Sequence, residues 1–283
     1  MKIKRVGVVG CGQMGAGITQ ICAQSSYQVV VSEINDGLLK KGLASIDSVL
    51  TRNVEKERIT QQDKDAILSR IKGTTNTKDF SDCDLVIEAA IENLDLKKKI
   101  FTELDKICSP QAILASNTSC MSIIDMATVT GRPDKVLGLH FFNPVQVMKL
   151  LEIVKTIATS DETVKTCRTF GESLEKSVVL AQDTPGFIVN RLMTPFLLNA
   201  IRMLEAGVAT REDIDTGIKL GLNHPMGPLT LTDLIGLDTI YFVANSIYDE
   251  SKDPQYASPI LLRKMVTAGW LGRKTRKGFY EYK

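Results

Sequence analysis

The sequence predicts an α/β domain built on a largely parallel sheet, followed by a domain made of helices alone. Up to about residue 180, short apolar runs alternate with longer amphipathic segments, as in repeated strand–helix–strand units. A G-x-G-x-x-G motif follows the first apolar run. Beyond that region, apolar residues recur mainly at helical spacing. We therefore place the two domains at residues 1–183 and 184–283.

The first domain contains six predicted strands separated mostly by helical segments, which favours a parallel sheet with helices on its faces. The strands are predicted at Ile3–Val9, Val29–Val31, Leu85–Ala89, Ala112–Ala115, Val136–His140 and Leu150–Val154. The helices are predicted at Gly15–Ala23 and Asp36–Leu50, and the second is expected to continue as a charged helical excursion to about Ile71.

The last two predicted strands are expected to be antiparallel neighbours. Only nine residues separate His140 from Leu150, whereas a parallel crossover needs a dozen or more. The connection contains Asn143-Pro144, a turn signal. A loop centred near residue 146 places position 140 opposite position 152.

The second domain is predicted to begin with a capped helix. Asp183 is a suitable helix cap, and Pro185 suits the first turn of the helix after it. Further helical patterns cover Arg211–Leu220 and Leu229–Tyr248, and a short strand is possible at Phe279–Tyr282.

Composition and charge exclude several classes of protein. The 283 residues are 43% hydrophobic and 24% charged, which is typical of globular proteins. A net charge of +2 argues against a dedicated polyanion binder, so no nucleic-acid partner is expected. No stretch of 18 apolar residues occurs, and the first apolar run is too short for an export signal. We therefore expect neither a membrane span nor secretion.

The cysteines and histidines predict a reduced protein without a metal site. Six cysteines occur and none forms a C-x-x-C pair, so free thiols in a cytoplasmic protein are expected. The two histidines are far apart and join no cysteine cluster, which makes a zinc site improbable.

The glycine motif predicts a Rossmann-like site for a dinucleotide. Gly10 permits a tight turn, Gly12 lets the backbone approach a pyrophosphate, and Gly15 allows close helix–strand packing. Gln13 and Met14 lie between these glycines where the helix opens, and the helix N-terminus presents N–H groups and a positive dipole end to the phosphates.

The acid at the end of the second strand favours NAD(H) over NADP(H). Glu33 lies 18 residues after Gly15. A carboxylate there accepts hydrogen bonds from the adenosine ribose and repels a 2′-phosphate. A flavin is the main competing dinucleotide, although no second flavin signature is present.

The pair His140 and Glu152 predicts acid–base chemistry. His140 closes an apolar strand, and Glu152 lies on an apolar face of the next strand, where a carboxylate is costly unless it is paired. A carboxylate beside an imidazole orients the ring and stabilises the imidazolium, as a general acid–base requires. The alternative is a structural ion pair in a hairpin.

Two further polar positions have a structural and a functional interpretation. The segment Ala115–Ser119 is rich in Ser, Thr and Asn, and its pattern is first explained as a cap for a helix that begins near Cys120. Asn190 lies on an apolar helical stripe, so its amide needs a partner. That partner is either a core backbone group or a ligand in the cleft between the domains.

The motifs together resemble the 3-hydroxyacyl-CoA dehydrogenase family, and within it the bacterial 3-hydroxybutyryl-CoA dehydrogenases most closely. The resemblance extends in order over essentially the whole chain. Its motifs are Gly10–Gly15, Asp84–Ala90, Ser116–Ser119, His140–Pro144, Asp183–Arg191, Asn223–Pro228 and Gly269–Lys274.

The resemblance implies a role for each matching position. It implies that His140 is the catalytic base with Glu152 as its partner, and that Ser119 and Asn190 hold the substrate oxygen. Arg52 and Lys56 resemble residues that contact coenzyme A, although relatives often have lysine at the first position and serine at the position of Cys120. The residues implied near NAD are Gly10, Gly12, Gln13, Met14, Gly15, Glu33, Glu92, Lys97 and Asn117.

The implied activity is reversible oxidation of a short-chain 3-hydroxyacyl-CoA, 3-hydroxybutanoyl-CoA above all, to a 3-oxoacyl-CoA with NAD. The resemblance also implies an acyl-CoA substrate and a homodimer formed through the helical domain. Two alternatives remain at this stage. One is a dehydrogenase of free 3-hydroxyacids, whose base would typically be a lysine, and the other is a non-catalytic NAD-binding relative.

Overall fold

The first part of the chain forms one eight-stranded sheet with helices. The computed structural model describes residues 2–283 and divides into two units, Met1–Thr184 and Pro185–Lys283. The strands are β1 Arg5–Val9, β2 Gln28–Ser32, β3 Ile71–Thr74, β4 Leu85–Glu88, β5 Ile113–Ser116, β6 Val136–Phe141, β7 Leu150–Lys155 and β8 Ser177–Gln182. Their order in the sheet is β3-β2-β1-β4-β5-β6-β7-β8.

Helices connect these strands and build the second unit. In the first unit they are α1 Gln13–Gln24, α2 Asp36–Glu55, α3 Gln61–Ser69, α4 Leu94–Ile107, α5 Ile123–Ala127 and α6 Asp161–Ser173. In the second unit they are α7 Val189–Glu205, α8 Arg211–Gly221, α9 Pro228–Ile235, α10 Leu237–Ser251 and α11 Ile260–Thr267. The expected fold class, a Rossmann-like α/β domain followed by a helical one, is confirmed.

The pairing of the strands brings several strand ends to one edge of the sheet. All neighbouring strands are parallel except β6 and β7. Val9, Glu88 and Ser116 are in register at the carboxyl ends of β1, β4 and β5. Because β7 runs in the opposite direction, its first residues lie at the edge where β6 ends. The predicted register is confirmed, since His140 pairs with Glu152.

Each unit has a hydrophobic core of its own. In the first unit, strand residues such as Val8 and Ile87 pack with Ile18 of α1, and all three are fully buried. In the second unit, Leu197 and Leu229 belong to a separate buried cluster. Burial of one such side chain stabilises a fold by about 1.5–3 kcal/mol. Each core therefore stabilises the packing of the strands and helices that contribute side chains to it.

Two helices that were predicted to be continuous are interrupted. The charged excursion after α2 is a separate helix, because Glu57 is left-handed and Thr60 starts α3 with a capping box to Asp63. The segment Leu229–Tyr248 divides at Gly236, whose φ of +106° no helix can contain. Helical periodicity continues across both breaks, which is why the pattern did not reveal them.

The two outer strands of the sheet, β3 and β8, were not predicted. β3 has one large apolar residue, Ile71, and one buried residue, Thr74. β8 is mostly exposed or half-buried, but it contains the apolar run Val178–Ala181, a strand signal that the sequence analysis overlooked. The prediction of a short strand at Phe279–Tyr282 was wrong. The described residues there form only an isolated bridge, between Lys277 and Glu281.

The predicted helix caps around the domain boundary were wrong. Asp183 does not cap the helix that follows it. Its two carboxylate oxygens accept hydrogen bonds from the backbone N–H groups of Ile123 and Ile124, at 3.0 and 2.7 Å. It therefore caps α5, which begins three residues later than the expected start near Cys120. Pro185 also precedes the helix, because α7 begins only at Val189.

Candidate active site

The glycine-rich loop between β1 and α1 has the shape that a dinucleotide pyrophosphate requires. Gly10 has a φ of +95°, a left-handed conformation that favours glycine. A Cβ on Gly15 would lie 1.9 Å from the carbonyl oxygen of Gly10, so only glycine lets the helix start this close to the strand. A Cβ on Gly12 would meet no atom within 4 Å. The space beside Gly12 is therefore open to a ligand.

The N-terminus of α1 offers unpaired donors to that space. Gly12 is the N-cap, and it has no side chain with which to satisfy the first N–H groups. Gln13 is exposed and Met14 is half-buried in the first turn. The free N–H groups and the positive end of the helix dipole fit the phosphates of NAD.

Glu33 connects the end of β2 to the glycine-rich loop. It follows β2 directly, and its Oε1 accepts a hydrogen bond of 2.8 Å from the backbone N–H of Cys11. The carboxylate is thus held at the loop where the sequence predicts the adenosine ribose. Burial, together with the charge of Glu33, raises the pKa of the Cys11 thiol to about 11.

His140 and Glu152 form a buried contact across the β6–β7 hairpin. Nδ1 of His140 lies 2.6 Å from Oε2 of Glu152, and the two side chains are 5% and 0% exposed. A carboxylate can only accept, so Nδ1 carries a proton and Nε2 is the atom at which the neutral ring can accept one. The ring of Phe142 lies 4.5 Å from that of His140, centroid to centroid.

Asn117 joins the loop after β5 to the strand that carries His140. Its Oδ1 accepts a hydrogen bond of 2.9 Å from the backbone N–H of Phe141. Its own backbone N–H donates to the carbonyl of Glu88, at 2.8 Å. Asn117 was predicted to bind the cofactor, and the structure places its side-chain oxygen on the protein backbone beside His140.

Lys97 belongs to a buried ionic cluster at the same edge. Its Nζ lies 2.7 Å from Oε1 of Glu88 and 3.4 Å from Oε2 of Glu92. Lys97 is 1% exposed, whereas the Glu92 side chain is 29% exposed. Lys97 and Glu92, both predicted to lie near the cofactor, are therefore in contact with each other, and Lys97 also pairs with Glu88.

Ser119 lies in the loop that Glu92 holds. Oε1 of Glu92 accepts a hydrogen bond of 2.9 Å from the backbone N–H of Ser119, and its Oε2 accepts one of the same length from Oγ1 of Thr118. Ser119 is half-buried in this loop, which follows the carboxyl end of β5. The candidate residues Glu92, Lys97 and Ser119 thus form one connected group.

The remaining candidates lie in other elements. Asn190 is 9% exposed in the first turn of α7, in the second unit. Arg52 and Lys56 are exposed at the carboxyl end of α2, where Arg52 donates to Oγ of Ser48. The two basic side chains are exposed, as contacts with the phosphates of a large ligand require.

Sequence reasoning missed Glu88. It is fully buried, and it accepts hydrogen bonds from Lys97, Ser116 and the backbone of Ala90. The sequence contains a signal for this residue, since Glu88 directly follows the apolar run Leu85–Ile87. A carboxylate at the end of a buried strand needs partners, by the same reasoning that identified Glu152.

One end of the sheet carries both the glycine-rich loop and the buried His140–Glu152 pair. The glycine-rich loop follows β1, and the His140–Glu152 pair lies where β6 and β7 meet. Residues 2–283 contain no group of three or more His, Cys, Asp or Glu side chains that could hold a metal ion. Among the helices described, none is long and apolar enough to cross a membrane.

The glycine-rich loop and the His140–Glu152 pair together suit hydride transfer accompanied by general acid–base catalysis.

Comparisons with known proteins cover the whole chain. Residues 5–184 match the family model of the 3-hydroxyacyl-CoA dehydrogenase NAD binding domain, and residues 186–282 match that of the C-terminal domain of the same enzymes. A 3-hydroxybutyryl-CoA dehydrogenase of Mycobacterium tuberculosis is 46% identical over 99% of both chains. The crystal structure of (S)-3-hydroxybutyryl-CoA dehydrogenase from Ralstonia eutropha is similar with a TM-score of 0.96 and 46% identity, over 100% of both chains.

Proposed function

The chain belongs to the 3-hydroxyacyl-CoA dehydrogenase family, and from this premise we propose that it oxidises (S)-3-hydroxybutanoyl-CoA reversibly to the 3-oxoacyl-CoA with NAD. The short acyl chain and the (S) alcohol follow the names of the relatives from M. tuberculosis and R. eutropha. The observation that carries the proposal is the buried contact of 2.6 Å between His140 and Glu152.

His140 is the proton-transfer group in this proposal. Oxidation removes a hydride from C3 of the substrate and a proton from its hydroxyl group. NAD, when bound, supplies the hydride acceptor, and NADH the donor in the reverse direction. His140 accepts the hydroxyl proton at Nε2, because its Nδ1 is engaged with Glu152. In reduction the imidazolium returns that proton, and the carboxylate of Glu152 stabilises the imidazolium.

Ser119 and Asn190 are proposed to hold the substrate oxygen, where charge changes most during the reaction. Ser119 is supported by its loop, which follows β5 at the same edge of the sheet as His140. Asn190 is supported by its place in the first turn of α7 and by its side-chain amide, which can donate hydrogen bonds to an oxygen.

The cofactor and the coenzyme A group are assigned to different segments. The glycine-rich loop, with Gln13 and Met14, takes the pyrophosphate, and Glu33 takes the adenosine ribose. Arg52 and Lys56 are proposed to contact the phosphates of coenzyme A. Among the other residues expected near NAD, the half-buried Glu92 is the accessible one. Lys97 and Asn117 are proposed to shape the site rather than to contact NAD, since both are buried and bonded to protein groups.

The proposal includes a homodimer formed through the second unit and a cytoplasmic location. The second unit carries large apolar side chains that are mostly exposed, among them Leu192, Val208 and Leu220. All six cysteines are free thiols, as expected in a reducing compartment. Light scattering should give twice the mass of one chain, and a monomer at micromolar concentration would contradict the dimer.

Substrate specificity tests the activity directly. NADH oxidation is followed with acetoacetyl-CoA and, in parallel, with acetoacetate at equal concentrations. We expect rapid oxidation with the thioester alone. Activity with acetoacetate alone would indicate a dehydrogenase of free 3-hydroxyacids. Activity with neither compound would indicate a non-catalytic NAD-binding protein.

A His140→Gln variant tests the assigned acid–base group. We expect kcat to fall by ~10²–10⁴-fold, the usual contribution of general acid–base catalysis, while the Kd of NADH measured by fluorescence stays within twofold or so. A variant that keeps most of its kcat would remove His140 from this role.

A further inference from the structure

A buried carboxylate at the carboxyl end of β4 has no part in the chemistry described above. Glu88 is 0% exposed. Its Oε1 accepts hydrogen bonds of 2.7 Å from Nζ of Lys97 and from the backbone N–H of Ala90, and its Oε2 accepts one of 2.6 Å from Oγ of Ser116. Three segments therefore converge on this side chain, namely the loop after β4, the helix α4 and the end of β5.

Two routes lead from Glu88 to the loop that contains Ser119. Along the first route, Oγ of Ser116 donates to Glu88 and accepts a hydrogen bond of 3.2 Å from the backbone N–H of Thr118. Along the second, Lys97 lies between Glu88 and Glu92, and Glu92 accepts the backbone N–H of Ser119. Both routes end at neighbouring residues of one loop.

We propose that Glu88 is a positioning residue, which holds Ser119 and Glu92 in place for turnover through Ser116 and Lys97 without contacting the substrate. The proposal rests on the function proposed above, in which Ser119 binds the substrate oxygen. Ser119 must sit within a fraction of an ångström of its working position, because small displacements of a substrate-binding group cost large factors in rate.

The charges of the cluster explain why a carboxylate occupies this position. Lys97 is 1% exposed, and a buried ammonium needs a close anion. Glu92 lies farther away, at 3.4 Å, and is partly open to solvent. Without the charge of Glu88, Lys97 would be drawn towards Glu92. The carboxylate of Glu92 accepts a hydrogen bond from the backbone N–H of Ser119, so Ser119 would move with it. The position of Ser119 thus depends on the ion pair of Lys97 with Glu88.

Two variants and a matched control test this role. Glu88→Gln removes the charge and keeps the shape, and Ser116→Ala breaks only the first route. Asp105→Asn alters another ion pair of the same unit, that of the half-buried Asp105, in the last turn of α4, with the buried Arg132. We expect Glu88→Gln to lower kcat about 10- to 100-fold with acetoacetyl-CoA, while the Kd of NADH changes much less. Asp105→Asn should lower Tm and keep kcat.

A double-mutant cycle separates positioning from a merely structural role. If Glu88 acts through Ser116, the loss of kcat in the double variant is smaller than the product of the two single losses. Independent losses, or a Glu88→Gln variant with the kcat of the wild type, would overturn the proposal. If Glu88→Gln fails to fold, Ser116→Ala tests the first route and Lys97→Gln tests the second. Full kcat in both of these variants also overturns the proposal.

The same measurements distinguish this proposal from the proposed function. A wild-type protein that does not turn over acetoacetyl-CoA would refute the dehydrogenase activity and, with it, the role of Glu88. An active wild type with an unaffected Glu88→Gln variant would refute only the role of Glu88.

Discussion

In the proposed mechanism, Glu152 has two separable effects on His140, since it orients the ring and stabilises its positive charge. Glu152→Gln keeps an oxygen that can accept from Nδ1 at the observed 2.6 Å contact, but it removes the charge. The imidazolium that takes part in turnover then has no negative charge beside it. We therefore expect Glu152→Gln to lower kcat for the reduction of acetoacetyl-CoA.

The Glu152 experiment needs a check that proton transfer affects the measured rate, because slow product release can hide it. A solvent isotope effect on kcat provides that check. A kcat that stays at the wild-type value while the isotope effect is large would show that the carboxylate does not stabilise the imidazolium. Glu152 would then be only a structural partner of His140.

Glu33 is expected to decide between the two nicotinamide cofactors. The wild-type protein should have a higher kcat/KM with NADH than with NADPH, because the carboxylate would face the 2′-phosphate at close range. Glu33→Gln keeps an oxygen that accepts from the N–H of Cys11, and it removes the charge. The ratio of kcat/KM for NADH to kcat/KM for NADPH should therefore fall. A wild-type kcat/KM for NADPH equal to that for NADH would contradict the assignment.

Within the turn from β1 to α1, two glycines are required for different reasons. Alanine at Gly15 would place a Cβ against the carbonyl of Gly10, so Gly15→Ala should lower the free energy of unfolding by about 1–3 kcal/mol. Alanine at Gly12 meets no protein atom, and the backbone there is extended with φ −70°. Gly12→Ala should therefore fold normally and raise the Kd of NADH roughly tenfold, a cost of ~1.4 kcal/mol.

Urea unfolding and NADH titration distinguish the two glycine variants. The expected pattern is a stability loss in Gly15→Ala and a binding loss without stability loss in Gly12→Ala. If Gly12→Ala binds NADH as tightly as the wild type, the pyrophosphate does not lie beside this glycine.

The carboxylate of Asp183 caps α5, and burial disfavours its ionised form. Burial raises the pKa of Asp183 above its ordinary value, and hydrogen bonds from Ile123 and Ile124 offset only part of this effect. Since the folded-state pKa is the higher one, the folded state binds the proton more tightly. The contribution of Asp183 to the free energy of unfolding therefore falls as pH rises from its ordinary pKa through the raised one.

An Asp183→Asn variant makes this dependence measurable. The variant keeps one acceptor for the helix N-terminus and cannot ionise. The difference in the free energy of unfolding, wild type minus variant, should decrease in urea titrations as the pH rises above about 4, the ordinary pKa of an aspartate. A difference that increases over this range would mean that the two backbone hydrogen bonds outweigh the burial of the charge.

Across the whole molecule, the buried thiols should report global unfolding. All six cysteines are buried, and burial raises the pKa of Cys108 to about 11 and that of Cys83 and Cys167 to about 12. Because the thiolate is the reactive form, a disulfide reagent at about pH 8 should react slowly with the native protein and with all six thiols in denaturant. NADH should slow the native reaction further by stabilising the folded state. A thiol that reacts within seconds in the native protein would contradict this expectation.

Sequence alone was enough wherever the deciding information is local. The glycine spacing, the alternation of strands and helices and the nine-residue connection after His140 are properties of neighbouring residues. For this reason the cofactor loop, the α/β class and the pairing of His140 with Glu152 could be predicted and were found. Loop length and strand period together determine which residues of a hairpin lie opposite each other.

Tertiary structure decided the features that join distant segments. The cap of α5 comes from Asp183, 60 positions after the N–H of Ile123, and Glu88 collects partners from α4 and β5. The edge strand β3 likewise has no apolar run of its own, and only its pairing with β2 defines it. No local sequence pattern identifies the hydrogen-bond donors of Asp183 and Glu88. A buried carboxylate needs donors around it, but the topology of the chain determines which donors lie there.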